Sequence, residues 1–100
     1  MKNFRTFDLA VEFYRLTLSL TMKGHLKEQL NRAASSVALN LAEGRGRASA
    51  KDQARFFQIA FGSVRECQAI LQLAEVDTTA VGKLDFLAAN LFRLIQRAGG

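Results

Sequence analysis

Residues Asn40–Gln53 read NLAEGRGRASAKDQ, and the parsing of this stretch decides the fold. On its N-terminal side, Leu26, Leu30, Ala33, Ala34, Val37 and Leu41 recur at the spacing of one helix face. On its C-terminal side, Phe57, Ala60, Val64, Cys67, Leu71 and Ala74 do the same. Between them, Gly44 and Gly46 are placed to take the left-handed conformation that stops a helix. Ser49 is placed to cap the next one, with Asp52 three residues on as a shortened capping box. The stretch reads as a bend that folds two long helices back on each other.

The remainder of the 100-residue chain follows the same period. Proline is absent, there is no sustained two-residue alternation, and no Asn-Gly or Asp-Gly turn marks a hairpin. The spacing predicts helices over about 7–22, 25–44, 50–75 and 79–98. Thr6 is the expected cap of the first, and Gly24 its expected stop. The fourth is capped from EVDTT, with Val81, Leu84, Ala88, Leu91 and Ile95 facing the core. Short connections force neighbours to run antiparallel, so the fold class is all-α, a single up-down-up-down four-helix bundle over residues 1–100. A composition of 49% hydrophobic and 23% charged residues fits one globular core and argues against disorder. No apolar run reaches the roughly 18 residues that would suggest a membrane span. The single cysteine, Cys67, excludes an internal disulfide, and without a secretory leader the expected location is cytoplasmic.

The net charge of +5 becomes informative once the topology is drawn. The N-terminus, the Gly44–Gly46 bend and the C-terminus fall at one end. That end collects Lys2, Arg5, Arg45, Arg47, Lys51, Arg55, Arg93 and Arg97 against Asp8, Glu43 and Asp52. Such a pole suits RNA or DNA through phosphate contacts, salt-sensitive and weakly sequence-specific. Arg45, Arg47, Lys51, Arg55, Arg93 and Arg97 are the expected contacts. The alternative is a protein–protein interaction module in which the basicity is incidental.

Ser36, Asn40 and Glu43 share a face of the second helix. Glu43, in a last turn whose dipole disfavours it, needs a compensating partner, with Arg47, Arg55 or the amides opening the third helix as candidates. With Ser63 and Glu66 on the third helix, these residues are expected to brace the turn, and Arg32 is expected to pair with Glu66. Gly62, within the third helix, suggests the close approach of another backbone, from the second helix or a neighbouring subunit. Catalysis is not expected. Glu43 and Glu66 lie about 20 Å apart along the bundle, and the one histidine, His25, is at the other end from Glu43. One Cys and one His make no zinc set, so neither a metal nor another cofactor is implied.

The first helix carries more apolar surface than a lone bundle requires. Leu9, Phe13, Leu16 and Leu20 form one stripe, and Phe7, Val11, Tyr14, Leu18 and Met22 a second on roughly the opposite side. Phe61 and Phe86 also fall outside the core arcs of their helices. Contiguous apolar patches mark interfaces, so Phe7, Val11, Tyr14, Leu18, Phe61 and Phe86 are expected to bury against further copies of the chain.

The runs RAASS at Arg32–Ser36, NLAEGRGR at Asn40–Arg47 and IAFGSVRE at Ile59–Glu66, taken together, resemble the family of 23S rRNA intervening-sequence proteins. The resemblance runs from about Phe7 to Ala74. It implies an antiparallel four-helix bundle, often a ring-shaped homopentamer. Some members are encoded inside insertions in 23S rRNA genes. A related group serves as accessory proteins to the reverse transcriptases of diversity-generating retroelements, so the resemblance also implies a reverse transcriptase as a partner.

Overall fold

A computed structural model describes residues 4–76 and 78–98, and among them the chain forms four helices and no strand: α1 Arg5–Ser19, α2 Gly24–Arg45, α3 Ala50–Ala74 and α4 Thr78–Arg97. At 1.5 Å per residue the 25 residues of α3 are roughly 38 Å long, enough to run the full 40 Å long axis. The helices form a four-membered cycle in which α1 meets α2 and α4, and α3 meets α2 and α4; the α2–α3 seam is the most extensive. Contacts across three of the seams pair rising numbers on one helix with falling numbers on the other. Phe4 lies under Arg45 while Thr17 meets Lys27, Gly44 meets Phe57 while Ser36 meets Ser63, and Phe61 meets Phe92 while Gln68 meets Asp85. The core is one cluster, with Phe13, Leu30, Leu41, Leu71, Leu84 and Leu91 among its fully buried side chains.

The helix ends differ from expectation in ways that packing explains. α1 starts at Arg5, with Phe4 in the capping position and no side-chain hydrogen bond there. Thr6 is inside the helix and buried, so it is not the cap. Phe4 holds the entry instead, buried against Phe57 at a centroid distance of 6.3 Å. At the other end the helix stops at Ser19, before Gly24 is reached, with Leu20 already extended. The Lys27 ammonium donates to the carbonyls of Thr17 (2.6 Å), Leu18 (3.3 Å) and Leu20, satisfying groups that a helix end leaves free. Gly24, at φ +55, then opens α2 in the left-handed region.

Gly44 and Gly46 do not take that region; Gly24 is the positive-φ glycine among the described residues. Gly46 closes α2 at φ −83 and ψ −6, its amide donating to Ala42 and Glu43. Gly44 is a packing residue: a Cβ there would lie 2.7 Å from Cε1 of Phe57 and 3.1 Å from Cβ of Phe56. The absent side chain lets α3 come close. Ser49 caps α3 as expected, accepting from the Asp52 amide at 3.1 Å. α3 ends in a Schellman arrangement. Glu75 sits at φ 53, the Val76 amide reaches the Leu71 carbonyl and the Glu75 amide the Gln72 carbonyl, both at 3.4 Å. Of the EVDTT stretch expected to cap α4, Asp77 lies outside the described residues.

Two expected core faces are corrected. α4 buries Ala80, Leu84, Leu87, Leu91 and Ile95, leaving Val81 exposed and Ala88 half-buried. α1 buries Thr6, Ala10, Phe13 and Thr17. The two apolar stripes flank this narrower line: Leu9, Leu16 and Leu20 on one side, Phe7 and Tyr14 on the other, all packed against the core. Small residues at the centre let α1 sink between α2 and α4, which covers most of both stripes. Buried Thr17 is satisfied locally, its hydroxyl donating to the Tyr14 carbonyl at 2.7 Å.

Candidate nucleic-acid interface

The start of α1, the end of α2, the start of α3 and the end of α4 converge, as Phe4 touches Arg45 and Phe57 while Ala98 lines the same groove as Ala50 and Ala54. The basic side chains expected here are organised by aromatic rings. The Arg45 guanidinium stands over Phe4 at 4.7 Å, and those of Arg47 and Arg55 stand over Phe56 at 4.6 and 4.5 Å. A cation this close to a ring is attracted by its quadrupole, and stacking confines a long side chain to fewer orientations. Phe56 is thus the shared support of two arginines from different elements, a role the sequence reading did not assign. The only hint was its position next to Arg55.

The six expected contacts are not equivalent. Arg47 is the most engaged: it pairs with Glu43 at 2.9 Å, and its carbonyl accepts from the Gln53 side chain at 3.0 Å. Arg55 approaches Asp52 at 3.8 Å with both side chains largely exposed, a contact of little energetic weight. Lys51, Arg93 and Arg97 are exposed and form no ion pair among the described residues. Arg5 leaves the cluster to lean over Phe86 on α4 at 5.6 Å. Lys2 lies outside the described residues. Lys51, Arg55 and Gln58 flank a groove of about 740 Å³ that opens between the start of α3 and Ala98 at the end of α4.

The polar residues of α2 and α3 form a chain across the seam. The Ser36 and Ser63 hydroxyls are 2.9 Å apart, and the Asn40 amide donates to the Ser36 carbonyl (2.9 Å) and hydroxyl (3.1 Å). Glu43 is outside this network, exposed and bound to Arg47. Glu66 is also exposed, and the expected pair with Arg32 is not made. Arg32 and Glu66 are nearly level but both face solvent, and the register accounts for the separation of Glu43 and Asn40 from Arg55. Ser36 faces Ser63 and Gly44 faces Phe56, so Asn40 is level with Ile59 and Ala60, one turn beyond Arg55. Counting back from the bend assumed that α2 and α3 end level; instead the first turns of α3 project past the end of α2. Gly62 admits no neighbour from α2, since nothing lies within 4 Å of the Cβ it would carry.

Among the residues expected at subunit contacts, Phe7, Tyr14 and Phe61 pack against the core, Phe61 also against Phe92 at 6.3 Å. Val11 is half-buried, and Leu18 and Phe86 are about half exposed, at 51% and 49%. His25 is exposed at the start of α2. Cys67 is fully buried in the core, and burial, followed by the negative charge of Glu66, pushes its thiol up to about 12. A neutral buried thiol is a poor nucleophile at physiological pH. Among the described residues no three of His, Cys, Asp and Glu group as metal ligands, and no helix is long and apolar enough to cross a membrane.

None of the curated proteins compared with the chain matches it. The model of one family, described as 23S rRNA-intervening sequence protein, matches residues 4–88, which takes in α1, α2, α3 and the first half of α4. A match over that much of the chain, on a four-helix bundle whose most extensive seam includes Ser36, Gly44 and Ser63 of the RAASS, NLAEGRGR and IAFGSVRE runs, places this protein in the 23S rRNA-intervening sequence protein family.

Proposed function

We propose that this protein is a non-enzymatic, cytoplasmic homo-oligomer that binds RNA or DNA through the basic pole where the four helix ends converge. The observation that carries the proposal is the pair of arginines, Arg47 and Arg55, over one Phe56 ring, beside Arg45 over Phe4. Guanidiniums pre-oriented on aromatic faces lose less freedom on meeting a phosphate, and Arg matches phosphate geometry with two parallel hydrogen bonds. The family description, naming 23S rRNA, favours RNA as the polyanion. A reverse transcriptase, partner of a related group, fits the same pole as a protein that itself carries nucleic acid.

The contact order across the seams supports an up-down-up-down course. Exposed Leu18, Phe86 and Phe92 support self-association, with the family resemblance pointing to a ring of five. The same surfaces would serve a protein-interaction module, so one experiment must separate the readings. Binding of an RNA hairpin and of duplex DNA is measured at about 50 and 200 mM salt. Affinity that falls steeply with salt, and falls further in Arg45→Glu/Arg47→Glu, supports the proposal. Absence of binding at the lower salt refutes it and leaves the interaction module. Light scattering on the wild type and on Leu18→Glu/Phe86→Glu tests assembly, a monomeric wild type removing the ring.

A further inference from the structure

We infer that the groove between the start of α3 and the end of α4 takes the sugar-phosphate backbone of a single nucleic-acid strand. This rests on the polyanion reading above and names the form of its ligand. The groove holds about 740 Å³, and Ala50, Ala54 and Ala98 are among the residues that line it. Alanine at all three places lets a strand approach both helices closely, with no apolar side chain projecting to bar it. The walls carry Lys51, Arg55 and Gln58, and Arg97 immediately precedes Ala98. Against these stands Asp52, also in the wall and 3.8 Å from Arg55. Lys51 and Arg55 against one carboxylate leave the lining positive, and Arg97 adds a cation beside it in the chain.

Its size selects a single strand: about 740 Å³ is too small to enclose a double helix but admits part of one strand. Neighbouring helices pack with axes roughly 8–10 Å apart, whereas a double helix is wide enough for its own major groove to admit an entire α-helix. A duplex can rest on the rim of this pole but cannot enter between α3 and α4. Arg55 belongs both to the groove wall and to the Phe56 stack, so the ring that orients Arg55 also sets one wall. Contacts are to phosphates, and strands of different base composition bind alike.

The test fills the groove at constant charge. Fluorescence anisotropy is measured with labelled oligo(dT) and oligo(U) of about 15 nucleotides, within the site sizes seen for single-strand binders. A duplex of the same length serves as comparison. Ala50→Leu occupies the groove from an exposed first-turn position of α3, and Ala98→Leu fills it from the end of α4; both keep the net charge, and circular dichroism verifies that the helices are kept. Either variant is expected to weaken single-strand binding about tenfold and to leave duplex binding unchanged. With Lys51, Arg55 and Arg97 each meeting one phosphate, wild-type affinity for the single strand falls roughly 20-fold between about 50 and 200 mM salt, and both variants keep that slope. Single-strand affinity unaltered by both fillings, or duplex binding as tight as single-strand binding, overturns the inference while leaving a basic pole that binds polyanions diffusely. No binding of any strand at low salt overturns the function proposed above and this inference with it.

Discussion

Replacing Gly44 by alanine sets two opposing effects against each other, and the geometry decides between them. In a helix, alanine is favoured over glycine by roughly 0.5–1 kcal/mol through reduced backbone freedom in the unfolded chain. Against that, the new methyl would lie 2.7 and 2.9 Å from two ring carbons of Phe57 and 3.1 Å from Cβ of Phe56. Ordinary carbon contacts are about 3.5–4.0 Å, so α2 and α3 must separate or the Phe57 ring must move by most of an ångström. That ring is buried at 3% exposure and packed on Phe4, and Cβ of Phe56 is fixed to the α3 backbone. Overfilling a tight contact by one methyl costs about 1–3 kcal/mol. The net expectation is a loss of about 1–2 kcal/mol, or a melting temperature lower by roughly 4–16 °C. Urea unfolding followed by far-ultraviolet circular dichroism, at one fixed protein concentration, reads it as a lower midpoint with an unchanged slope. Gly62→Ala is the internal control. It lies mid-helix with nothing within 4 Å and should gain up to about 1 kcal/mol. Gly44→Ala/Phe57→Leu should lose less than the sum of its single variants, because the smaller side chain makes room for the methyl. A Gly44→Ala protein as stable as the wild type, or as stable as Gly62→Ala, would refute the close-approach argument and the register built on it.

Other outcomes follow from the same coordinates. Lys27→Met removes the donor to three carbonyls at the end of α1 and should lower stability by about 1–2 kcal/mol, with faster amide exchange confined to the last turn of α1. Glu75→Gly relieves a non-glycine residue at φ 53 and should raise stability by about 0.5–1 kcal/mol, read from the urea midpoint. Cys67, its thiol raised to about 12, stays protonated in the folded protein while the unfolded chain ionises from about 9 upward. Its contribution is complete below pH 9 and lost as pH climbs toward 12, so a thiol reagent at pH 8 should label only denatured protein. The Glu12–Lys83 pair, at 2.7 Å, has the opposite sense. Its hydrogen bond and charge hold the Glu12 carboxyl below the usual carboxylate value. That contribution is present above the ordinary value and lost as pH falls through the lowered one. Both groups are exposed, so Glu12→Gln should scarcely move the thermal midpoint at pH 7.

The proposed function rests on what the bend displays. If Phe56 positions Arg47 and Arg55, then Phe56→Leu should weaken oligonucleotide binding and Phe56→Tyr restore it, although no charge changes in either. Unaltered binding in Phe56→Leu would reduce the ring to a packing residue.

The sequence by itself determined the number and placement of the helices, because a 3.6-residue apolar period is a local property and α2 and α3 carry it through Leu30, Val37 and Leu41 and through Phe57, Val64 and Leu71. It also determined the Ser49 cap and the burial of Cys67, each a matter of a few consecutive residues or of one helix face, and it offered Arg47 as one of three partners for Glu43. Only the tertiary structure decided the role of Gly44, the register of Ser36 on Ser63, the true core line of α1 and the capping of α1 by Lys27. Each of these depends on how far one helix slides along another, and periodicity fixes a face but not an axial position. The stacking of Arg47 and Arg55 on Phe56 follows from that slide, since it sets Phe56 beside Gly44 in the last turn of α2, three residues before Arg47.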